Sequence, residues 1–307
     1  MAGASPVVRT GRDILRLQNE PRSLQLLLAQ RRMYSFAKRW SNLRVIGVGV
    51  IAIAAPIITA LLPGTAEIVG AVAGGWFFLN KTLCLSRERH WIGTAAGVQE
   101  LFDCHVFRLP RNDALGPAPT PELISDVANQ QTAASSPDLR DWYVVPTAAP
   151  GDFAVALAQR ANAAYSERLL RLYARIWLIG GSVWGAIAVA ISLVAELSLA
   201  QFLMGIVLPV LPAVVDARDF WYTARGAADD QKHLANHIEV RLRERDRNGT
   251  IQISELRAFQ DQLYKQRRER TLIPDLLYRL VRRRNEAAMK HAAEELTRLV
   301  RPANRRT

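Results

Sequence analysis

Four stretches of this chain are almost free of charge, and the segments between them are rich in it. Val45 to Leu62 is an uncharged run of 18 residues. Ile68 to Leu79 resumes it after the turn Pro63-Gly64-Thr65-Ala66-Glu67, and extends to Cys84 if Asn80 and Lys81 sit at an interface. Ile176 to Ala195 is uncharged over 20 residues, and Leu197 to Val215 over 19 more. A helix rises about 1.5 Å per residue, so 18 residues cover roughly 27 Å, close to the hydrocarbon thickness of a bilayer. The pattern predicts four transmembrane helices. Each pair is joined by only a few residues, so they form two hairpins.

The polar segments read as helix with one long loop. Residues 14–44 predict an amphipathic helix leading into the first span, with Leu24, Leu27 and Leu28 at helical spacing. A helix over 88–104 leaves the second span. Pro110, Pro117, Pro119, Pro121, Pro137, Pro146 and Pro150 make 105–150 mostly loop, with a short helix at 121–130 and an extended segment at Trp142-Tyr143-Val144-Val145. From Gly151 one helix runs into the third span. After the fourth, helices are predicted over 221–247, 253–270 and from Pro274 onward, broken at Asn248-Gly249 and at 271–274. The stripe of the last segment begins Ile273, Leu276, Leu277, Leu280, Val281. The expected fold is an all-α integral membrane protein. Its regions are an N-terminal helix (1–44), hairpin one (45–84), a central region (85–175), hairpin two (176–215) and a basic C-terminal region (216–307).

Charge gives the orientation. Residues 1–44 hold nine Lys/Arg against two acids, and 216–307 hold 21 against 14, whereas 81–175 balance. Arg31, Arg32, Lys38, Arg39 and Arg44 precede the first span, and Lys81, Arg87 and Arg89 follow the second. Arg168, Arg171 and Arg175 precede the third, and Arg218 and Arg225 follow the fourth, while neither hairpin tip carries a base. By the positive-inside rule both termini and the central region are cytoplasmic. Trp40, Trp76, Trp177, Phe220 and Trp221 lie near the same ends, where an aromatic belt belongs. In a soluble protein with two buried helical hairpins, charge asymmetry and belt would both be coincidences. No charge lies mid-span, which argues against a proton-coupled transporter or ion pump. Gly70-x-x-x-Gly74 and Gly181-x-x-x-Gly185 allow close helix packing within the membrane.

Half of the residues are apolar, and the net charge is +12. The placement of the bases beside the spans favours an anionic membrane surface over DNA or RNA as partner. Cys84 and Cys104 form no framework and no CxxC pair. No signal peptide is expected, because the first apolar block starts near residue 45 and lacks a small-residue cleavage site behind it. Glu244-x-Asp246-x-Asn248-Gly249, ending at Glu255, follows a calcium-loop pattern in part, but Glu stands first and Arg247 lies inside it. It reads as a helix–turn–helix joint. Asp229, His233 and His237 share one helix and converge poorly on a metal. No G-x-S-x-G, P-loop, H-E-x-x-H or Cys–His pairing occurs, so neither an enzyme nor a bound cofactor or metal is expected. The candidate ligand site is basic. Arg257, Lys265, Arg267, Arg268, Arg270 and Arg282 offer guanidinium and ammonium groups for phosphate, and Tyr264 and Tyr278 offer faces for stacking.

Several segments resemble the SMODS-associated four-transmembrane effectors. They are Arg16-x-Gln18-Asn19-Glu20, Ala29-Gln30-Arg31-x-x-Tyr34-x-x-Ala37-Lys38, Gln99-Glu100-x-Phe102-Asp103-Cys104 and Asp141-Trp142-Tyr143. Further along come Gln260-Asp261-x-x-Tyr264-x-x-Arg267, Ile273-Pro274-Asp275-x-x-Tyr278 and Arg284-x-Glu286-x-x-Met289. They follow in family order along the whole chain. One departure falls before the third span, where Tyr165-Ser166 stands in place of the family's Trp-Asp. The resemblance implies a pore-forming effector of a bacterial cyclic-oligonucleotide-based antiphage system. It would be a homo-oligomer of the inner membrane, gated by a cyclic di- or trinucleotide from a cognate nucleotidyltransferase, and it would end infection by permeabilising the membrane. The readings from other classes are a non-enzymatic anchor holding a cytoplasmic protein partner, and a small-solute channel.

Overall fold

The computed structural model describes residues 8–61, 66–129, 139–194, 208–269 and 271–300. Both hairpin tips, most of the fourth span and Arg270 lie outside them. The described elements are α1 (Gly11–Leu17), α2 (Pro21–Leu61), α3 (Ala66–Leu79), a π-helical turn (Asn80–Cys84), α4 (Leu85–Phe107) and a 3-10 turn (Asp113–Leu115). Then come α5 (Pro121–Asn129), α6 (Gly151–Val194), α7 (Leu208–Asn248), α8 (Ile253–Glu269) and α9 (Asp275–Val300).

Two antiparallel pairs organise the molecule: α2 lies along α4, and α6 along α7. α8 packs across α4 and α6, and α9 across α6 and α7. The main core is built where these meet, around Phe102, Phe107, Phe153, Leu157, Ile238 and Leu242. A smaller one joins Leu169, Leu170 and Tyr173 of α6 to Ala224 and Ala228 of α7.

Beyond this helical body the apolar surface has no protein cover. Ile46, Val50 and Ile53 of α2 are 62, 56 and 68% exposed, and Ile68, Val72 and Phe78 of α3 are exposed to the same degree. Ile179, Val183 and Ile187 of α6 and Val214 and Val215 of α7 continue the band. A contiguous apolar surface of this size belongs in lipid. One continuous helical stretch among the described residues, Ile68–Phe107, is by itself long and apolar enough to cross a membrane, and only 11% of its apolar window is buried. It carries the second expected span and passes through the π-helical turn into α4. The other three expected spans run into 62–65 and 195–207, outside the described residues.

Two expectations change. The N-terminal segment is two helices, because Gln18 and Asn19 leave the helix to bind the loop around Tyr143. Gln18 Nε2 donates to the Tyr143 carbonyl at 3.2 Å, and the Tyr143 amide donates back to Gln18 Oε1 at 2.7 Å. On α9 the stripe is buried on one side only: Leu277, Tyr278 and Val281 pack on the small core, while Leu276 and Leu280 are 69 and 73% exposed. Among the described residues nothing lies within 4 Å of a Cβ built on Gly70, Gly74, Gly181 or Gly185. The close approach between α2 and α3 falls at Gly47, where a Cβ would lie 2.0 Å from the Trp76 ring.

The start of α6 is held at two points. Gly151 lies against the N-terminal segment so tightly that a Cβ would stand 1.6 Å from the Val8 carbonyl oxygen. Asp152 accepts from Arg245 Nε at 2.8 Å and from the Ile251 amide at 2.9 Å, tying α6 to the break at Asn248-Gly249, where Gly249 takes φ +89°. Burial opposes the Asp152 charge, but the Arg245 and Ile251 hydrogen bonds outweigh it and lower its pKa. A depressed carboxylate stabilises the fold fully above its unfolded value, near 3.8, and the contribution is lost as pH falls through the folded value. Asp152→Asn should therefore flatten the acid limb of a stability-versus-pH curve measured below pH 3.8. An identical acid limb in the variant would remove Asp152 as its source.

Candidate ligand cavity

The motif segments converge at the centre of the helical body, where α4 presents Glu100 and Asp103, one turn apart, to α8. Arg267 Nη1 donates to Asp103 Oδ2 at 2.6 Å, and Arg257 Nη2 to Glu100 Oε1 at 2.5 Å. Gln260 lies between them and donates to both carboxylates, at 2.7 and 2.8 Å. Tyr143 donates its hydroxyl to the other Asp103 oxygen at 2.5 Å. Asp103 and Arg267 are 0 and 4% exposed. Burial disfavours the Arg267 cation, yet the neighbouring Asp103 carboxylate prevails and raises the Arg267 pKa. Burial, reinforced by Asp103, likewise raises the Tyr143 pKa. Burial and Glu100 push the Cys104 thiol up to about 12, so it stays protonated, accepting from Arg257 and donating to Glu100.

Two members of this network, Tyr143 and Arg267, line a cavity of about 550 Å³, inside the roughly 300–1,000 Å³ of small-molecule sites. α2 contributes Gln30, Arg31, Tyr34 and Lys38, three and four residues apart and so on one face. α9 contributes Tyr278, Arg282, Glu286 and Met289 by the same spacing. The loop adds Arg140, Asp141 and Trp142; α6 adds Asn162, Tyr165 and Ser166; α7 adds Asp230 and Gln231; and α8 adds Gln266, Arg267 and Glu269. The Tyr165 and Tyr278 rings stand 6.1 Å apart.

The polar lining is incompletely satisfied. Gln30 Oε1, Gln231 Oε1, Gln266 Oε1 and Arg267 Nη2 are buried with no hydrogen-bond partner among the described residues. Gln30, Gln231 and Arg267 are 6, 4 and 4% exposed. Each such group costs about 1–3 kcal/mol if it stays unpaired, which favours a polar occupant. Charge on the wall is mixed. Lys38 pairs with Asp275, Arg282 with Glu286 at 2.6 Å, and Asp141 accepts from Asn19 at 2.8 Å. Arg31 and Arg140 make no ion pair among the described residues, and neither do Asp230 and Glu269.

The candidate ligand residues singled out from sequence are thus divided. Arg267, Tyr278 and Arg282 line the cavity. Tyr264, Lys265 and Arg268 line a separate cleft nearer the apolar band. Arg257 is held by Glu100, Asp261 and the Pro110 carbonyl. Sequence reasoning missed Gln30, Arg31, Arg140, Tyr165, Asp230 and Gln231 as cavity residues. The signal for Gln30 and Arg31 was present: polar residues at helical spacing on a segment of α2 that is otherwise buried.

No curated protein and no solved structure matches this chain. A family model does, that of the SMODS-associating 4TM effector domain, over residues 12–296. With nearly the whole length matched, and the uncovered apolar band that a membrane effector requires, the chain belongs to the SMODS-associating 4TM effector family.

Proposed function

We propose that this protein is a non-enzymatic, ligand-gated effector of a cyclic-oligonucleotide-based antiphage system, and that a cyclic oligonucleotide occupying the central cavity switches it to a membrane-permeabilising state. The observation that carries the reading is the set of buried polar atoms left unpaired in a cavity walled by tyrosines. The lining suits a ligand with several chemistries. Arg31 and Arg140 are placed for phosphates, tyrosine faces for base stacking, and Asp230, Glu269 and the glutamine amides for base edges. A cyclic oligonucleotide carries all three. Balanced walls also disfavour bare phosphate as the ligand, because the carboxylates would repel it.

The ligand must bind the permeable state more tightly than the closed one, or no population shift follows. The four spans are nearly nonpolar and cannot enclose water as single copies, so permeabilisation requires a homo-oligomer or a bilayer defect. The proposed setting is the bacterial inner membrane, with both termini and the cavity on the cytoplasmic side. Loss of the permeability barrier would then end infection with the host cell.

The test is dye release from liposomes holding the purified protein, with the cavity side exposed outward and a panel of cyclic di- and trinucleotides added. Release by one nucleotide and not by the others supports the reading and names the ligand. No release by any, from correctly oriented protein, overturns it in favour of an anchor for a protein partner.

A further inference from the structure

The cleft that holds Tyr264, Lys265 and Arg268 has a volume of about 960 Å³ and opens where the helical body meets the apolar band. Arg44 and Lys81 mark its membrane side, at the ends of the exposed stretches of α2 and α3. Phe220 of α7 also lines it, stacked on Trp177 at 5.1 Å. Three of the wall's four carboxylates are ion-paired, and the fourth, Glu269, is shared with the central cavity. Glu88 pairs with Arg44 at 2.5 Å, Asp261 with Arg257 at 2.7 Å and Asp219 with Arg218 at 3.5 Å. Arg89 of α4 and Lys265 and Arg268 of α8 are exposed and make no ion pair among the described residues. Arg268 lies over the Tyr264 ring, 5.8 Å from its centroid, which fixes the guanidinium at the rim.

Free cations facing one another from two helices, with an apolar surface directly beside them, match one class of ligand. A phosphodiester supplies the charge they lack, and acyl chains continue down the exposed faces of α2 and α3. We propose that this cleft seats the headgroup of an anionic phospholipid between the two hairpins. The seat is distinct from the central cavity and does not rest on its being a nucleotide site. The two share Thr223, Glu269 and Thr271 in a common wall. Arg267, which sequence alone groups with Arg268, takes no part because Asp103 holds it inside.

Native mass spectrometry of the full chain in detergent, offered phosphatidylglycerol and phosphatidylcholine together, tests the proposal. The wild type should retain phosphatidylglycerol in preference. Lys265→Glu with Arg268→Glu should lower that preference about tenfold or more. Arg89→Glu, on the opposite wall, should act in the same direction and guards against a folding defect in the double variant. Arg283→Glu with Arg284→Glu, exposed cations of α9 outside the cleft, should change nothing. Equal retention of the two lipids by the wild type, or undiminished phosphatidylglycerol in both cleft variants, overturns the proposal. So does displacement of the lipid by inorganic phosphate, which would assign the cleft to a soluble anion.

Discussion

Asp103→Ala is expected to destabilise the helical body by about 3–5 kcal/mol, the range for removing one partner of a buried ion pair. The substitution strands three groups together: the Arg267 guanidinium, the Tyr143 hydroxyl and one amide hydrogen of Gln260. All three lie in the interior, with Arg267, Gln260 and Tyr143 at 4, 0 and 4% exposure. The effect should appear as a large fall in the thermal midpoint of the purified, detergent-solubilised chain, followed by circular dichroism. Arg284→Ala, on an exposed face, is the reference and should shift stability by no more than about 0.5 kcal/mol. If the two variants melt alike, Asp103 does not hold α4, α8 and the loop together.

The second large effect is on ligand response. Arg31→Glu with Arg140→Glu should raise the nucleotide concentration for half-maximal dye release about a hundredfold or more. A hydrogen bond to a charged group contributes about 1.5–3 kcal/mol, and the new carboxylates would repel phosphate as well. Neither arginine makes an ion pair among the described residues, so the fold loses little. The thermal midpoint should stay near that of the wild type, separating this variant from Asp103→Ala. A wild-type response from a stable double variant would place the phosphates elsewhere. Tyr165 and Ser166 also line this cavity, at the position where the chain departs from the family's Trp-Asp. Exchanging them for Trp and Asp is the natural way to ask whether that departure selects the ligand.

The helices were legible because their causes are local. Apolar spacing, Pro121, the Asn248-Gly249 break and the proline-rich loop each act within a few residues, and the elements fall close to where these signals place them. The uncharged runs identify the apolar band in the same way. The state of each arginine was not legible. Arg257 and Arg267 look like Lys265 and Arg268 in sequence, yet two are paired with carboxylates more than 150 positions away and two are exposed. Nothing near Arg267 in the chain announces Asp103. Likewise the cavity is made by six helices and a loop meeting, and only its helical spacing on α2 and α9 is written locally. The break after Leu17 was missed because Gln18 and Asn19 are compatible with helix; their partner, the Tyr143 loop, lies 125 positions away.

α2, α6 and α7 run 41, 44 and 41 residues without interruption. At about 1.5 Å per residue each is a shaft some 60 Å long, with cavity residues toward one end and bare apolar surface toward the other. A tilt imposed at Tyr34, Asn162 or Gln231 is therefore delivered to the far end as a displacement of the whole rod, with no loop needing to refold in between. The fourth shaft, α3 into α4, differs. It is interrupted by the π-helical turn, which Arg44 pins through Asn80 and Glu88, so this shaft carries a break in its hydrogen-bond register between the apolar band and the helical body.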